Sequence, residues 1–202
     1  MIRSDKVISY LKFHSDTRHW KNKGYESGYH TLKVGDITLK GQRNSYERLR
    51  NVNYDFTNKR VLDLGCNRGG MLFEIQNRIQ YGVGIDYNSN LINCCNILKC
   101  HDQSHNLNFY THDLDTMNIL NLNWYGPFDI VLMLSMSRWI RKWETYVNWI
   151  GIHCNACLFE TNGSNQQEQI NFLSNYFNIE IVNNQSLDDK RNKNRKLLLC
   201  NK

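Results

Sequence analysis

A glycine-containing turn with acidic residues on both sides is the part of the chain whose residue types and spacing best fit a chemical role. Residues 65–69 lie between an apolar run and a helical pattern, and Asp63 stands two residues before Gly65. Glycines at such a turn let a ligand approach the backbone closely at the carboxyl edge of a sheet. Asp86 ends the next apolar run, 21 residues after Gly65, where a carboxylate can bind both hydroxyls of a ribose. The spacing therefore predicts a site for an adenosine-containing cofactor.

The residues of this turn also discriminate between cofactors. Dinucleotide sites favour the pattern G-x-G-x-x-G, with a pyrophosphate at the N-terminus of the following helix. Here Asn67 replaces the second glycine, and the carboxylate of Asp63 suits a cationic ammonium or sulfonium group better than a pyrophosphate. This favours S-adenosylmethionine. A nicotinamide-dependent oxidoreductase and a non-catalytic binding protein of the same fold are the alternatives.

Strand and helix signals alternate from residue 60 onwards. Strands are predicted at residues 60–64, 81–86, 107–110, 128–134, 156–160, 179–182 and 196–200, and helices near residues 71–79, 91–98, 139–150 and 166–177. Asn88 or Ser89 is the expected N-cap of the second helix. The alternation predicts an α/β fold, a three-layer Rossmann-like sandwich with a seven-stranded, mostly parallel sheet and an antiparallel C-terminal hairpin strand. The most apolar run, residues 128–134, is expected at the centre of the sheet.

The chain divides into a lead-in and a main domain. Residues 1–59 are predicted to form one or two helices with a connector from Gly24 to Gly41, and this segment is expected to act as a lid. Residues 60–202 are predicted to form the cofactor-binding domain. The chain has 202 residues, 41% of them hydrophobic, which excludes a disordered, collagen-like or coiled-coil protein. Without a long apolar window or a signal peptide, we expect no membrane partner and a cytoplasmic location.

Seven cysteines in a chain without an export signal indicate reduced thiols. A zinc site would require paired sets of ligands, and this spacing is found neither at Cys154 and Cys157 nor in the cluster at residues 94–105. We therefore expect no metal.

The charge is unevenly distributed along the chain. Residues 1–60 carry a net charge of +7, residues 61–189 a net charge of −7 and residues 190–202 a net charge of +6. Such asymmetry suits an anionic partner, either a small molecule or RNA. The basic segment at residues 190–196 is the best nucleic-acid feature, although it lacks interleaved aromatic residues for stacking on bases.

The chain resembles the class I S-adenosylmethionine-dependent methyltransferases. The resemblance covers residues 60–202 and is carried by the segments 61–67, 84–86, 112–114 and 128–131. Segments 41–44, 48–50 and 134–139 resemble the methylphosphate capping enzymes of RNA. Segments 29–32 and 41–43 resemble the methyltransferase-like enzymes of the tRNA wobble uridine and their small-molecule relatives. The long insertions and extra N-terminal domains of those enzymes are not found in this sequence.

The resemblance implies roles for individual residues. Residues of the glycine turn would contact the methionine and ribose parts of the cofactor, Asp86 the ribose diol, and Asp113 and Leu114 the adenine. Arg48 and Arg43 would meet the methionine carboxylate, and Leu134 and Ser135 would lie next to the sulfur. The predicted cofactor-binding residues are Arg43, Arg48, Asp63, Gly65, Cys66, Asn67, Gly69, Asp86, Tyr87, Asp113, Leu114, Leu134 and Ser135.

Candidates for the chemistry itself are His30, Ser135 and Arg138. His30 is a candidate base, since methylation of a hydroxyl or a protonated amine requires removal of a proton. Arg138, with Arg141 or Lys142 on the same face of a predicted helix, would hold an anionic acceptor. Three tryptophans, Trp139, Trp143 and Trp149, either stack on a base or sugar or lie in the core, and the four-residue spacing of Trp139 and Trp143 favours the core. Glu160 and Asn162 either face an acceptor or cap the next helix. The sequence thus predicts a methyltransferase with a polar, anionic or sugar-like small-molecule acceptor and favours O-methylation; an RNA phosphate or base is the alternative acceptor.

Overall fold

A helix, a small hairpin and a short helix precede the main sheet. The structure, a computed structural model, describes residues 4–13, 24–189 and 192–202, so parts of the predicted lead-in, residues 1–3 and 14–23, lie outside the described residues. The elements are helix α1 Ser4–Phe13, strands β1 Leu32–Val34 and β2 Ile37–Leu39, which pair antiparallel, and helix α2 Ser45–Leu49. The connector predicted from Gly24 to Gly41 therefore contains a hairpin that the sequence prediction missed. Its signal is present, because apolar and polar residues alternate on both sides of the turn residues Gly35 and Asp36.

The main sheet forms where the alternating pattern predicts it. Its strands are β3 Arg60–Leu64, β4 Tyr81–Asp86, β5 Leu107–Thr111, β6 Ile130–Leu134, β7 Ala156–Glu160, β8 Asn178–Asn183 and β9 Leu197–Asn201. Their order in the described sheet is β5-β4-β3-β6-β7-β9-β8, and β9 runs antiparallel to both of its neighbours. The predicted seven-stranded, mostly parallel sheet with an antiparallel hairpin strand is confirmed. The apolar strand β6 occupies the centre, as expected for a strand that is covered on both faces.

Helices cover both faces of the sheet and bury two separate apolar cores. The connecting helices are α3 Gly70–Ile75, α4 Ser89–Asp102, α5 Trp143–His153 and α6 Gln166–Leu173, with a 3₁₀ helix at Ile119–Trp124. One core packs α1, the small hairpin, α3 and α4 against one face of the sheet. The other packs α5, α6 and the 3₁₀ helix against the opposite face. Asn88 caps α4 by accepting a hydrogen bond from the backbone N–H of Asn90, as predicted.

The segment after β6 departs from the sequence prediction. The pattern predicts a helix over residues 139–150, but α5 begins at Trp143 and ends at His153. Residues 137–139, 141 and 142 form turns, so Arg138, Arg141 and Lys142 do not share a helix face. Among the described residues, no helix has the length and apolar character needed to cross a membrane.

Candidate active site

A cavity of about 650 Å³ opens at the carboxyl ends of the parallel strands. Its walls come from the loops after β3, β4, β5 and β6, from the segment before α2 and from the loop between β8 and β9. This is the edge at which α/β sheets bind ligands. Among the predicted site residues, those that line the cavity are His30, Arg48, Asp63, Gly65, Asn67, Asp86, Tyr87, Asp113, Leu114, Leu134 and Ser135.

The turn after β3 brings the backbone to the cavity wall. Gly65 has a φ of +73°, and the backbone N–H groups of Gly65 and Cys66 donate to the carbonyl of Ile85 at 2.8 and 2.9 Å. A Cβ on Gly65 would collide with the side chain of Met136, which packs directly against this turn. Glycine is therefore required here by both the backbone conformation and the space.

Asp86 ends β4 with both carboxylate oxygens already oriented by backbone donors. One oxygen accepts from the N–H of Asn67 at 2.9 Å and the other from the N–H of Asn88 at 3.0 Å. Burial raises the pKa of Asp86, and the backbone donors oppose that shift. A carboxylate oxygen can accept further hydrogen bonds, so this group is fixed in place with acceptor capacity left for a ligand.

Asp63 and Arg48 add two buried charged groups to the cavity wall. Asp63 is 2% exposed, and its Oδ2 atom has no hydrogen-bond partner among the described residues. Burial raises the pKa of Asp63 to about 8, although the charge of Arg48 works in the opposite direction. Arg48 donates from Nη2 to Glu160 at 3.0 Å, while its buried Nε has no partner in the described part of the chain. A buried acceptor and a buried donor without partners point to a ligand that satisfies both.

His30 lies in the cavity wall beside α2 and the start of α3. Its Nδ1 is buried without a hydrogen-bond partner among the residues described. Burial and the charges of Arg48, Arg43 and Arg68 together hold the pKa of His30 well below its ordinary value. The imidazole is therefore held in its neutral form, with one ring nitrogen available for a hydrogen bond to a ligand.

Glu160, at the end of β7, binds the buried arginines of the site, a role that the sequence analysis does not predict for it. Its carboxylate accepts from Arg43 at 2.7 Å and from Arg48 at 3.0 Å, and it also receives the hydroxyl of Ser135. Burial would raise the pKa of Glu160, but the charges of Arg48 and Arg43 lower it below its ordinary value. Glu160 is thus a buried, ionised carboxylate that holds the arginines around the cavity.

Three predicted cofactor residues lie behind the cavity wall rather than in it. Arg43 is fully buried and is bound by Glu160 and by Asp188, at 2.7 and 2.8 Å. The thiol of Cys66 lies beneath the turn, 3.7 Å from the carbonyl oxygen of Asn67. Gly69, the N-cap residue of α3, has a φ of +71°, and a Cβ there would come within 2.7 Å of the ring of Phe109. These residues shape the site from behind.

Arg138 is not brought into the cavity. It is exposed and lines a separate surface depression with Glu144 and Glu168. The prediction of a shared cationic face failed because the residues after Ser135 form a turn instead of a helix. Arg141 lies on that turn and pairs with Asp115 from an exposed position, at 3.8 Å.

The tryptophans divide between core and rim. Trp149 is buried and donates to Asn123 at 3.2 Å, and the half-buried Trp143 packs against Phe159. Trp139, in contrast, is 71% exposed and lines the cavity, so the favoured core position is wrong for this residue, and stacking on a ligand stays a prediction. A large exposed aromatic side chain at a cavity rim is available to cover a ligand.

The basic C-terminal segment is only partly described, since Lys190 and Arg191 lie outside the described residues. Within the described part, Arg195 turns inward and lines the cavity with a side chain only 12% exposed. Asp189 lies 3.4 Å from it and lines the same wall.

Comparison with known proteins identifies the fold family. A family model described as "Methyltransferase domain" matches residues 55–190. The chain belongs to this methyltransferase family. The predicted methyltransferase class is thereby confirmed. No curated protein matches the sequence.

Solved structures resemble this methyltransferase domain in fold at low sequence identity. The N-terminal domain of EvdMO1, described in the presence of SAH and D-fucose, has a TM-score of 0.71 at 12% identity, covering 100% of this chain and 97% of that one. WbdD in complex with a kinase inhibitor has a TM-score of 0.64 at 16% identity and 80% coverage of this chain. Precorrin-6y C5,15-methyltransferase from Geobacter metallireducens has a TM-score of 0.59 at 10% identity, covering 78% and 88%. The chain spans 47% of full-length EvdMO1 and 42% of WbdD.

The residues present in the cavity fit S-adenosylmethionine. Its ammonium, carboxylate and ribose diol require an acceptor, a cation and a second acceptor. An acceptor for the ammonium is available in the unpartnered oxygen of Asp63, and a cation for the carboxylate in Arg48, whose Nε has no partner among the described residues. The second acceptor, for the ribose diol, is the fixed carboxylate of Asp86, and all three residues line the described cavity. The space that remains for an adenine lies next to Asp86 and is bordered by the exposed Tyr87 and by His112. A hydrogen bond of 2.7 Å joins His112 Nε2 to the hydroxyl of Tyr125.

The cysteines of the methyltransferase have no role in this cavity wall. All seven are free thiols, and six of them are buried while Cys100 is exposed. In the described ranges, no group of three or more His, Cys, Asp or Glu side chains is arranged to hold a metal ion.

Proposed function

We propose that the protein transfers a methyl group from S-adenosylmethionine to a hydroxyl of a polar small molecule, with a sugar or a phosphorylated sugar as the acceptor. One observation carries this proposal: a single cavity joins the cofactor-type groups Asp63 and Asp86 to a second polar wall at Ser135 and Arg195. A sugar-type acceptor is supported by the description of the EvdMO1 domain with D-fucose. Because Arg195 of the basic segment faces this cavity, the proposal takes a small molecule rather than RNA as the acceptor.

The cofactor would be held by charge and shape. Asp86 would accept both ribose hydroxyls, and Asp63 and Arg48 would meet the ammonium and the carboxylate of the methionine part. Asp113 and Leu114, which line the cavity after β5, would contact the adenine. Leu134 and Ser135 at the end of β6 would lie beside the sulfur, and Arg43 would support Arg48 from behind through their shared partner Glu160.

The chemistry requires alignment more than covalent catalysis. S-adenosylmethionine, when bound, supplies a methyl group on a sulfonium sulfur that an acceptor oxygen can displace. The chain contributes an enclosed, oriented site, and orientation alone can provide much of the rate acceleration. His30 would accept a hydrogen bond from the acceptor hydroxyl at Nδ1, which has no partner among the described residues, and so orient that hydroxyl for attack. Burial and the three neighbouring arginines lower the pKa of His30, so they oppose its protonation, and the proton of the hydroxyl would be released to water.

Calorimetric titration with S-adenosylmethionine and S-adenosylhomocysteine tests the cofactor part of this proposal. We expect micromolar binding to the wild type and at least tenfold weaker binding to Asp86→Asn, because hydrogen bonds to a charged group contribute about 1.5–3 kcal/mol each. Asp55→Asn is the matched control, since Asp55 is an exposed aspartate that accepts a backbone hydrogen bond from Thr57. The assignment fails if folded wild-type protein binds neither compound, or if Asp86→Asn binds them as the control does.

A further inference from the structure

The segment that follows β6 contacts two other loops at the carboxyl edge of the sheet. Near its start, the side chain of Met136 packs directly against Gly65 and occupies the space that a Cβ there would need. Near its end, the backbone N–H of Arg141 donates to Asp115 Oδ1 at 2.7 Å. Gly65 belongs to the turn after β3 and Asp115 to the loop after β5. Residues 136–141, the crossing segment, therefore connect the loops of two strands that are not neighbours.

The order of the strands determines what lies between these two contacts. Strands β5, β4, β3 and β6 are parallel neighbours in that order, so their carboxyl ends form one row along the cavity. A chain that leaves β6 and contacts first the turn after β3 and then the loop after β5 passes the end of β4. Asp86, the residue assigned to the ribose, ends β4. The crossing segment therefore passes the ribose position.

Buried contacts hold the crossing segment in place. Ile140 is buried and belongs to the same apolar core as Leu114 in the loop after β5. The hydroxyl of Tyr146 on α5 donates to the carbonyl of Leu114 at 2.5 Å. Within the segment, the backbone N–H groups of Trp139 and Ile140 donate to the carbonyl of Met136 at 2.8 and 3.1 Å. The backbone of Trp139 thus has a defined position between the two contacts.

Trp139 is the residue of the crossing segment that presents a large aromatic surface to the cavity. Its side chain is exposed, whereas that of the next residue, Ile140, is buried. Trp139 lines the same cavity as Asp86 and Asp113, the residues assigned to the ribose and the adenine. An indole offers a flat apolar face, and a purine base packs well against such a face. The chemistry of this side chain therefore matches the part of the cofactor that the segment passes.

We propose that Trp139 covers the adenosine part of S-adenosylmethionine and is a cofactor-binding residue rather than a contact for the methyl acceptor. This inference rests on the proposed function, because it takes the adenosine to lie at Asp86. Since the backbone of the crossing segment is already fixed, the contact costs little conformational entropy when the cofactor binds. Loss of the indole should therefore weaken every ligand that contains the adenosine, with or without the methionine part.

Titration with two adenosine-containing ligands tests this contact. The ligands are S-adenosylhomocysteine, measured by calorimetry, and 5′-methylthioadenosine, which lacks the amino-acid part and is measured by competition. We expect Trp139→Ala to weaken both at least fivefold, and by factors that agree within twofold, because stacking involves only the adenosine. Trp139→Phe keeps a ring and should lose less affinity than Trp139→Ala. Weakening of S-adenosylhomocysteine alone would overturn the proposal, as would a wild type that binds S-adenosylhomocysteine but not 5′-methylthioadenosine.

Trp124 provides a matched control for these variants. It is 78% exposed, against 71% for Trp139, and it lies in the 3₁₀ helix, outside the described lining of the cavity. Because both side chains are exposed, neither substitution should disturb the fold. Trp124→Ala is expected to bind both ligands within twofold of the wild type. Equal affinities of Trp139→Ala and Trp124→Ala would refute the contact.

Tryptophan fluorescence gives a second readout, measured on fully loaded protein and therefore independent of affinity. Saturation with S-adenosylhomocysteine is expected to change the emission of the wild type and of Trp124→Phe to the same extent. The change should fall by at least half in Trp139→Phe, because the indole that contacts the adenosine is then missing. An equal change in Trp139→Phe and Trp124→Phe would contradict the proposal.

Binding to the wild type separates the two levels of the inference. If the folded wild type binds neither S-adenosylmethionine nor S-adenosylhomocysteine, the proposed function itself fails. If the wild type binds them and Trp139→Ala behaves as Trp124→Ala does, only the role of Trp139 is refuted.

Discussion

Asp63 is a residue whose burial opposes the stability of the fold at neutral pH. Its carboxyl is buried at the end of a central strand, and one of its oxygens has no hydrogen-bond partner among the described residues. Burial raises its pKa to about 8. Between about pH 4 and pH 8 the folded protein therefore holds a proton that the unfolded chain has lost, so rising pH favours unfolding in that interval.

Asp63→Asn should separate the stability of the fold from cofactor binding. The variant cannot ionise, so its unfolding free energy should exceed that of the wild type by an amount that grows from pH 4 to pH 8 and reaches the order of a few kcal/mol. Urea unfolding at several pH values measures this difference. A difference that does not change with pH would show that the raised pKa of Asp63 is not its origin.

Cofactor binding should be linked to the same proton. A ligand ammonium next to Asp63 favours its ionised form, so binding of S-adenosylhomocysteine at pH 7 is expected to release about one proton. Calorimetry in two buffers with different ionisation enthalpies counts that proton. Asp63→Asn should release none and bind at least tenfold more weakly, whereas unchanged proton release in the variant would contradict the role of Asp63.

Residues with a local signal were predictable, and residues that act through long-range contacts were not. Gly65, Asp63 and Asp86 stand out through short spacings beside predicted strands. Glu160 and Arg195 owe their roles to partners far away in the sequence: Glu160 bonds to Arg43, 117 residues earlier, and Arg195 to Ser135, 60 residues earlier. The register of β6, β7 and β9 brings Arg195 to Ser135, and packing of the segment before α2 against the sheet brings Arg43 to Glu160. A single sequence reveals neither of these contacts.

Two glycines with a positive φ, one before α3 and one before α6, differ in the space that is available for a side chain. Gly69 has a φ of +71°, and a Cβ there would come within 2.7 Å of Phe109. Gly163, in the loop before α6, has a φ of +80°, but a Cβ there would meet no other atom of the described residues within 4 Å. The two glycines therefore share the backbone requirement and differ in packing.

Substitution of both glycines by alanine measures the packing contribution at Gly69. Gly163→Ala should lose about 1–2 kcal/mol of unfolding free energy, the cost of a left-handed conformation for alanine. Gly69→Ala should lose about 1–3 kcal/mol more, since the ring of Phe109 must also move. Equal losses in urea unfolding would show that the helix start tolerates a side chain at position 69.

Elements followed the sequence pattern most closely where burial is regular. β3, β4 and β7 begin and end at the predicted residues, because each is a short apolar run in a covered sheet. The helix after β6 begins four residues later than the pattern predicts, because Trp139 and Trp143 have helical spacing although only Trp143 packs against the core. Spacing alone does not distinguish an aromatic residue at a cavity rim from one in a core.

At the scale of the whole molecule, one buried ion network joins the lead-in, the sheet and the C-terminal hairpin. Arg43 comes from the segment before α2, Glu160 from β7 and Asp188 from the loop between β8 and β9. Arg48 on α2 shares Glu160 with Arg43. Because these charges are buried, removal of one leaves its partners without compensation.

Glu160→Gln should therefore loosen the segments that this network holds. The change removes the charge between two buried arginines, and breaking a buried pair typically costs about 3–5 kcal/mol. Hydrogen exchange should increase in residues 24–49 and 184–189, while the central strands β3 and β6, which lie in the apolar cores, keep their protection relative to global unfolding. Glu180→Gln on the exposed face of β8 is the control and should change stability by less than about 0.5 kcal/mol. Because Glu160 also positions Arg48, Glu160→Gln should weaken the binding of S-adenosylhomocysteine. If the variant proves as stable and as protected from exchange as the control, the lead-in is held by its apolar contacts alone.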